Sequence, residues 1–162
     1  MGGDYFGIDH DDYTEVPANV STVVDLLEDK QISWGSYQED MPYTGFTGDT
    51  FHNAALKRDM YVRKHNPLVM FNSVGKNETR LGCIKNTTMF YEDLQKKKLP
   101  QWMFITPNMT SNGHDTSITY AGVWMKKFLS PLLENDYFTK VGLVYDAVSD
   151  NGPRLMERCR IH

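Results

Sequence analysis

No stretch of the sequence approaches the roughly 20 consecutive apolar residues that a membrane-crossing helix needs, so no membrane span is expected. Cysteine is scarce: Cys83 and Cys159 stand far apart with no metal-ligand spacing, which excludes a disulfide framework or a thiolate zinc site as the organising feature. Basic clusters are lacking too. The 17 Lys and Arg residues are dispersed apart from Lys96 to Lys98, and net charge is −4, so a phosphate-tracking nucleic-acid groove is excluded as an expectation. The lysine run follows an apolar-periodic segment and reads as a solvated helix C-terminus. Glycine-rich nucleotide loops, a Gly-x-Ser-x-Gly elbow and a His-Glu-x-x-His zinc helix are all absent.

What is present is the composition of a folding chain. Hydrophobic residues make up 40% and charged residues 23% of 162, enough for a core at a length where folding buries about 70% of the chain's surface. Four Asn-x-Ser/Thr acceptors occur, at Asn19, Asn77, Asn86 and Asn108, more than composition alone would place, and they point to a secretory history. The opening Met1-Gly2-Gly3-Asp4 has no basic and apolar leader pattern, so no signal peptide is read there.

Periodicity then organises the chain. The segment to Pro17 reads as a loop; Ser21 or Thr22 can cap a helix carrying Val23, Val24, Leu26 and Leu27, with Asp25 answering the free amides. Ile32 to Tyr37 reads as a strand. Tyr43 to Arg80 reads as an irregular excursion with a short helix near Asn53 to Val62. Met89 to Lys97 is expected helical, Gln101 to Thr106 a strand, and Pro107 to Asp115 a loop. A core-facing helix should carry Ile118, Ala121, Met125, Phe128 and Leu132, restarting at Ser130-Pro131, and Val141 to Tyr145 could be a strand. Helix, strand, loop, helix, strand predicts an α/β fold with a mostly parallel sheet and flanking helices.

In such sheets ligands gather beyond the carboxyl ends of the strands. The loop after Thr106 holds Asn108, Ser111, Asn112, Gly113, His114 and Asp115. An imidazole beside a carboxylate suits phosphate contact, metal ligation or proton transfer to a leaving group, while a polar turn whose Asp115 caps the next helix explains the composition equally well. Arg63-Lys64-His65 before Asn66-Pro67 could hold a phosphate or form a solvated basic loop. Glu39-Asp40, at the end of the first strand, are candidates for a divalent cation or plain surface charge.

The blocks Ile32-Ser33-Trp34-Gly35, Tyr37-Gln38-Glu39-Asp40-Met41-Pro42-Tyr43, Tyr61-Val62-Arg63-Lys64-His65-Asn66-Pro67, Leu99 to Thr110 and Gly113-His114-Asp115-Thr116 are similar in order and spacing to the fungal secreted acid phosphatases. These are phosphoesterases of the alkaline-phosphatase-like superfamily, a family that includes phospholipases C. The resemblance implies an alkaline-phosphatase-like sheet, incomplete here, with residues 1–140 as a partial phosphoesterase domain and 141–162 as a divergent tail. It implies metal-assisted hydrolysis of phosphate monoesters outside the cell, with His114 and Asp115 in catalysis and His65, Lys64 and Asn112 on the substrate or inorganic phosphate. In that family a Glu-Asn metal pair and the nucleophilic Ser segment precede the block beginning at Gly2. A strand ending in an acidic pair follows Phe138, and here Gly142 to Asp146 matches it loosely with Ala147 in place of the second acid. The expectation is therefore a fragment of a phosphate-ester hydrolase, truncated at both ends, retaining no divalent metal and inactive alone. A non-catalytic phosphate-binding module and a phospholipase C-type phosphodiesterase are the alternatives.

Overall fold

The computed structural model describes residues 1–141. In chain order it contains α1 (Val23–Asp29), β1 (Trp34–Gln38), β2 (Thr50–Asn53), β3 (Arg58–Val62), a 3-10 turn (Arg63–His65), α2 (Asn72–Gly75), α3 (Glu78–Leu81), β4 (Ile84–Asn86), α4 (Thr87–Gln95), β5 (Trp102–Thr106), α5 (Ile118–Leu133) and α6 (Asp136–Val141). β1 lies between β4 and β5 and runs parallel to both, pairing Trp34 with Trp102 and Gln38 with Thr106 on one side and Ser36 with Ile84 on the other. The expected α/β architecture with a small parallel sheet and flanking helices is what the structure has.

β1 is buried along its whole length because both faces are covered. Alternation sends Trp34 into a core with Val24, Met41, Tyr61, Leu68, Val69, Val74 and Ile84, and Tyr37 into a second core with Phe90, Leu99, Phe128, Leu132 and Phe138. α1, α2 and the β2–β3 hairpin supply the first layer; α4, α5 and α6 supply the second. Among the described residues no helix is long and apolar enough to cross a membrane.

Thr22, not Ser21, caps α1: its hydroxyl accepts from the Val24 N–H at 3.1 Å while its own N–H donates to Asp25 Oδ2 at 2.7 Å. Losing the hydroxyl half of this pair should cost about 1–2 kcal/mol, so Thr22→Ala, which keeps the backbone N–H to Asp25, is expected to lower the urea midpoint without changing the slope. An unchanged midpoint would mean that the cap contributes nothing.

Three readings of the sequence are corrected. Asn53 to Val62 is no helix: β2 and β3 form an antiparallel hairpin, with a bulge between Phe51 and His52 and Asn53 Oδ1 accepting from the Leu56 N–H in the turn. Strand-forming Phe51, Tyr61 and Val62 find partners across the turn, and Lys57 takes a positive φ to close it. α5 runs unbroken through Pro131, which sits at an exposed position near its end where water can take the carbonyl its ring leaves without a donor. Ile118 is 66% exposed, so the core-facing stripe of α5 begins only further along the helix. The strand read at Val141 to Tyr145 has its first residue at the end of α6, and the remainder lies outside the described residues.

Candidate functional site

Because β1 and β5 run parallel and in register, their carboxyl ends, Gln38 and Thr106, lie side by side. The loops leaving them share one end of the sheet, and the Glu39 N–H donates to the Thr106 carbonyl at 2.9 Å. The 3-10 turn after β3 comes to the same place, where the Thr106 hydroxyl donates to the His65 carbonyl at 3.3 Å. The Met109 N–H bonds to the Met60 carbonyl at 3.0 Å, so the hairpin buttresses the loop of residues 107–117.

Within that loop Gly113 takes φ +85°, a left-handed conformation that favours glycine, and a Cβ there would lie 3.3 Å from both the Ala121 Cβ and the Ser117 carbonyl. The turn brings His114 back over Asn112, whose Oδ1 accepts the His114 N–H at 2.8 Å. The Asn112 amide nitrogen lies 3.3 Å from His65 Nδ1. If that amide donates, a neutral His65 carries its proton on Nε2. The two imidazole centroids are 6.0 Å apart, and His114 Nδ1 lies 2.9 Å from Asp115 Oδ1. Four of the residues singled out from sequence, His65, Asn112, His114 and Asp115, are thus brought together, with His65 meeting Asn112 across 47 positions of chain. Asp115 does not cap α5; Ser117 does, accepting from the Tyr120 N–H.

Lys64 adjoins this group but spends its ammonium on Asp11, at 2.7 Å. That hydrogen bond, with the Lys64 charge and smaller contributions from His65 and His114, holds the Asp11 carboxyl below its usual range against a small opposing effect of burial. Asp11 was not legible as a site residue: it lies in the Gly- and Asp-rich opening, 53 positions from its partner, and no local pattern marks it.

Glu39 and Asp40, expected as possible metal ligands, have other duties. Glu39 Oε2 accepts the Asn108 N–H at 2.8 Å and its Oε1 accepts from Trp124 Nε1 at 3.2 Å, while Asp40 Oδ2 accepts from Asn108 Nδ2 at 2.7 Å. Carboxylates at the end of a buried strand here satisfy amides that would otherwise lack acceptors. Three of their four carboxylate oxygens are thus turned to Asn108 and Trp124, and no metal-dependent step is derived from Glu39 and Asp40. Among the described residues no group of three or more His, Cys, Asp or Glu side chains is gathered.

The four sequons also separate. Asn19 and Asn77 are exposed. Asn86 is half-buried, with its amide donating to the Met41 carbonyl and its Oδ1 capping α4, and Asn108 is buried under the loop. A cavity of about 300 Å³ opens elsewhere, at the amino end of β1, among Ser33, Cys83, Lys97, Pro100 and Tyr137; it shares no residue with the His65–His114 group.

The chain is similar to an acid phosphatase of Aspergillus fumigatus, with 53% identity over 94% of this chain and 34% of that protein. It is 58% identical to a phosphate-repressible acid phosphatase of Penicillium chrysogenum over 88% of this chain and 34% of that protein, and 54% identical to a probable acid phosphatase of Kluyveromyces lactis over 93% and 36%. It therefore spans about a third of the length of the curated relatives it matches. The model of the Phosphoesterase family matches residues 2–147. With nearly the whole chain aligned to that model and the conjunction of His65, Asn112, His114 and Asp115 at the carboxyl end of a parallel sheet, the chain belongs to the Phosphoesterase family.

Proposed function

We propose that this chain supplies the phosphate-facing wall of an acid phosphatase-type phosphoester hydrolase of the secretory route, and that by itself it binds phosphate without turning esters over. The observation that carries this reading is the approach of His65, Asn112 and the His114–Asp115 pair at one end of the sheet. With Asp115 on its Nδ1 side, the imidazolium form of His114 has Nε2–H left as a donor. From there it can bond a phosphoryl oxygen, or pass its proton to the leaving oxygen of an ester as the P–O bond breaks, and Asp115 stabilises the imidazolium beforehand. Asn112 accepts the His114 N–H and faces His65 Nδ1, so it holds both imidazoles on the same wall. Exposed Asn19 and Asn77 support glycosylation on a secretory route.

A non-catalytic phosphate-binding module is the second reading, favoured by the commitment of Glu39 and Asp40 to Asn108 and Trp124. Calorimetry with inorganic phosphate and hydrolysis of p-nitrophenyl phosphate, with and without divalent cations, test both. Saturable heat with negligible turnover is expected, and His114→Ala should weaken phosphate at least about tenfold, the loss of one charge-assisted hydrogen bond. Absence of heat with the wild-type chain would sink phosphate recognition. Strong metal-dependent turnover would overturn the claim of binding without hydrolysis, and turnover of a phospholipid in preference to the soluble monoester would shift the substrate to a phosphodiester.

A further inference from the structure

Asn108 reads in sequence as a glycan acceptor, yet the fold uses all of it. It is 8% exposed. Its N–H donates to Glu39 Oε2 at 2.8 Å and its side-chain amide to Asp40 Oδ2 at 2.7 Å. Its Oδ1 accepts from the Thr110 N–H at 3.0 Å and the Ser111 N–H at 2.7 Å, and its carbonyl accepts from the Asn112 N–H at 2.9 Å. Asp40 is itself held at φ +59°, a left-handed conformation uncommon outside glycine that Asp tolerates better than most residues.

We propose that Asn108 is the positioning residue of the His65–His114 group, and that in the folded protein its sequon carries no sugar. The route from Asn108 to the site is short. The Asn108 carbonyl fixes the backbone of Asn112, and the Asn112 side chain receives the His114 N–H while its amide faces His65 Nδ1. Below, Glu39 ties the same asparagine to Trp124 of α5, so the loop is held from the sheet and from the helix at once. A sugar on Nδ2 needs an exit to solvent, which the burial of Asn108 denies. Because glycans are attached before folding ends, a sugar there keeps the loop from seating on Glu39 and Asp40, and only chains unmodified at Asn108 assemble the site. Asn19 and Asn77 face solvent and carry no such conflict.

The proposal rests on the reading of the loop as phosphate-facing, and three variants of the full chain separate the two ideas. Asn108→Asp keeps the volume but removes both the amide donor and the sequon, and sets a carboxylate against Asp40. Thr110→Ala removes the sequon and keeps Asn108. The double variant Asp40→Asn with Asn108→Asp exchanges donor and acceptor and should restore the bond.

At pH 7, N108D is expected to move the His114 amide signal and the imidazole signals of both histidines in NMR spectra, and to weaken inorganic phosphate at least tenfold. T110A should leave both readouts unchanged, and the exchange variant should return them toward wild type. If N108D unfolds the chain, the exchange variant decides: recovery of the signals supports the proposal and failure to recover them overturns it. Silent histidine signals in a folded N108D, or a T110A that reproduces N108D, overturn it as well. Should the wild-type chain not bind phosphate, the phosphate reading falls while the histidine signals still judge the positioning role. Glycopeptide mass spectrometry of the folded monomer, secreted from a yeast host, should find Asn108 unmodified, and a sugar on it would overturn the second half of the proposal.

Discussion

Phe90→Ala is expected to destabilise the chain by about 3–5 kcal/mol, a large share of the roughly 5–15 kcal/mol that holds a domain together. Phe90 is fully buried, and its ring lies 5.2 Å from Tyr37, 5.5 Å from Phe128 and 6.4 Å from Phe138. One side chain on α4 thereby joins β1, α5 and α6, so its truncation opens a cavity lined by three elements that cannot all collapse into it. The thermal midpoint should fall by roughly 6–20 °C, and Phe90→Leu, which keeps most of the volume, by much less. A midpoint within about 3 °C of wild type for the alanine variant would show that this core is not closed around Phe90. The damage should also reach the site, because Phe128 stacks on Trp124 at 5.1 Å and Trp124 bonds Glu39 beneath the loop.

Asp93→Ala should cost about 3 kcal/mol at neutral pH, since it leaves two donors without their acceptor. Both Lys85 Nζ, at 2.7 Å, and the Tyr37 hydroxyl, at 2.8 Å, donate to Asp93 Oδ2, and Asp93 is itself 8% exposed. Burial raises the Asp93 carboxyl, but the hydrogen bonds from Lys85 and Tyr37 and the Lys85 charge outweigh it and hold the group below its ordinary range. Burial, with Asp93 as its acceptor, pushes the Tyr37 phenol far up, so it stays protonated. A carboxyl depressed on folding stabilises fully above its unfolded value, near pH 3.9, and this contribution is lost as pH falls through the folded value. Asp93→Asn should therefore flatten the acid limb of a stability-against-pH curve below about pH 4. Asp25, where burial is outweighed by the Thr22 N–H and Arg80, and Glu28, held low by Arg80, leave a residual slope. An acid limb identical to wild type would refute the role given to Asp93.

The parts of the fold that were legible are those decided within a few residues. Thr22 and Asp25 stand three apart and form the capping box that their spacing announces. The apolar strand ending at Thr106 and the helix before Leu99 appear within a residue or two of where their patterns put them. β4 had no such signal: three residues carry no period, and Ile84 to Asn86 are a strand because β1 offers them a parallel edge. The hairpin of β2 and β3 was misread for the same reason, since His52 needs Asp59 across the turn before either residue is extended for a purpose.

At the site, the sequence alone determined which chemical groups the loop after Thr106 owns, an imidazole beside a carboxylate and a cluster of amides, because composition and a strand's end are local facts. Only the tertiary structure decided who faces whom: that Lys64 answers Asp11, that His65 meets Asn112, and that Glu39 and Asp40 hold Asn108. The reason is physical. Capping and periodicity act over three or four residues of backbone, whereas a buried amide or carboxylate takes whatever partner the packing of distant segments delivers, and burial makes the cost of having none too high to leave to chance.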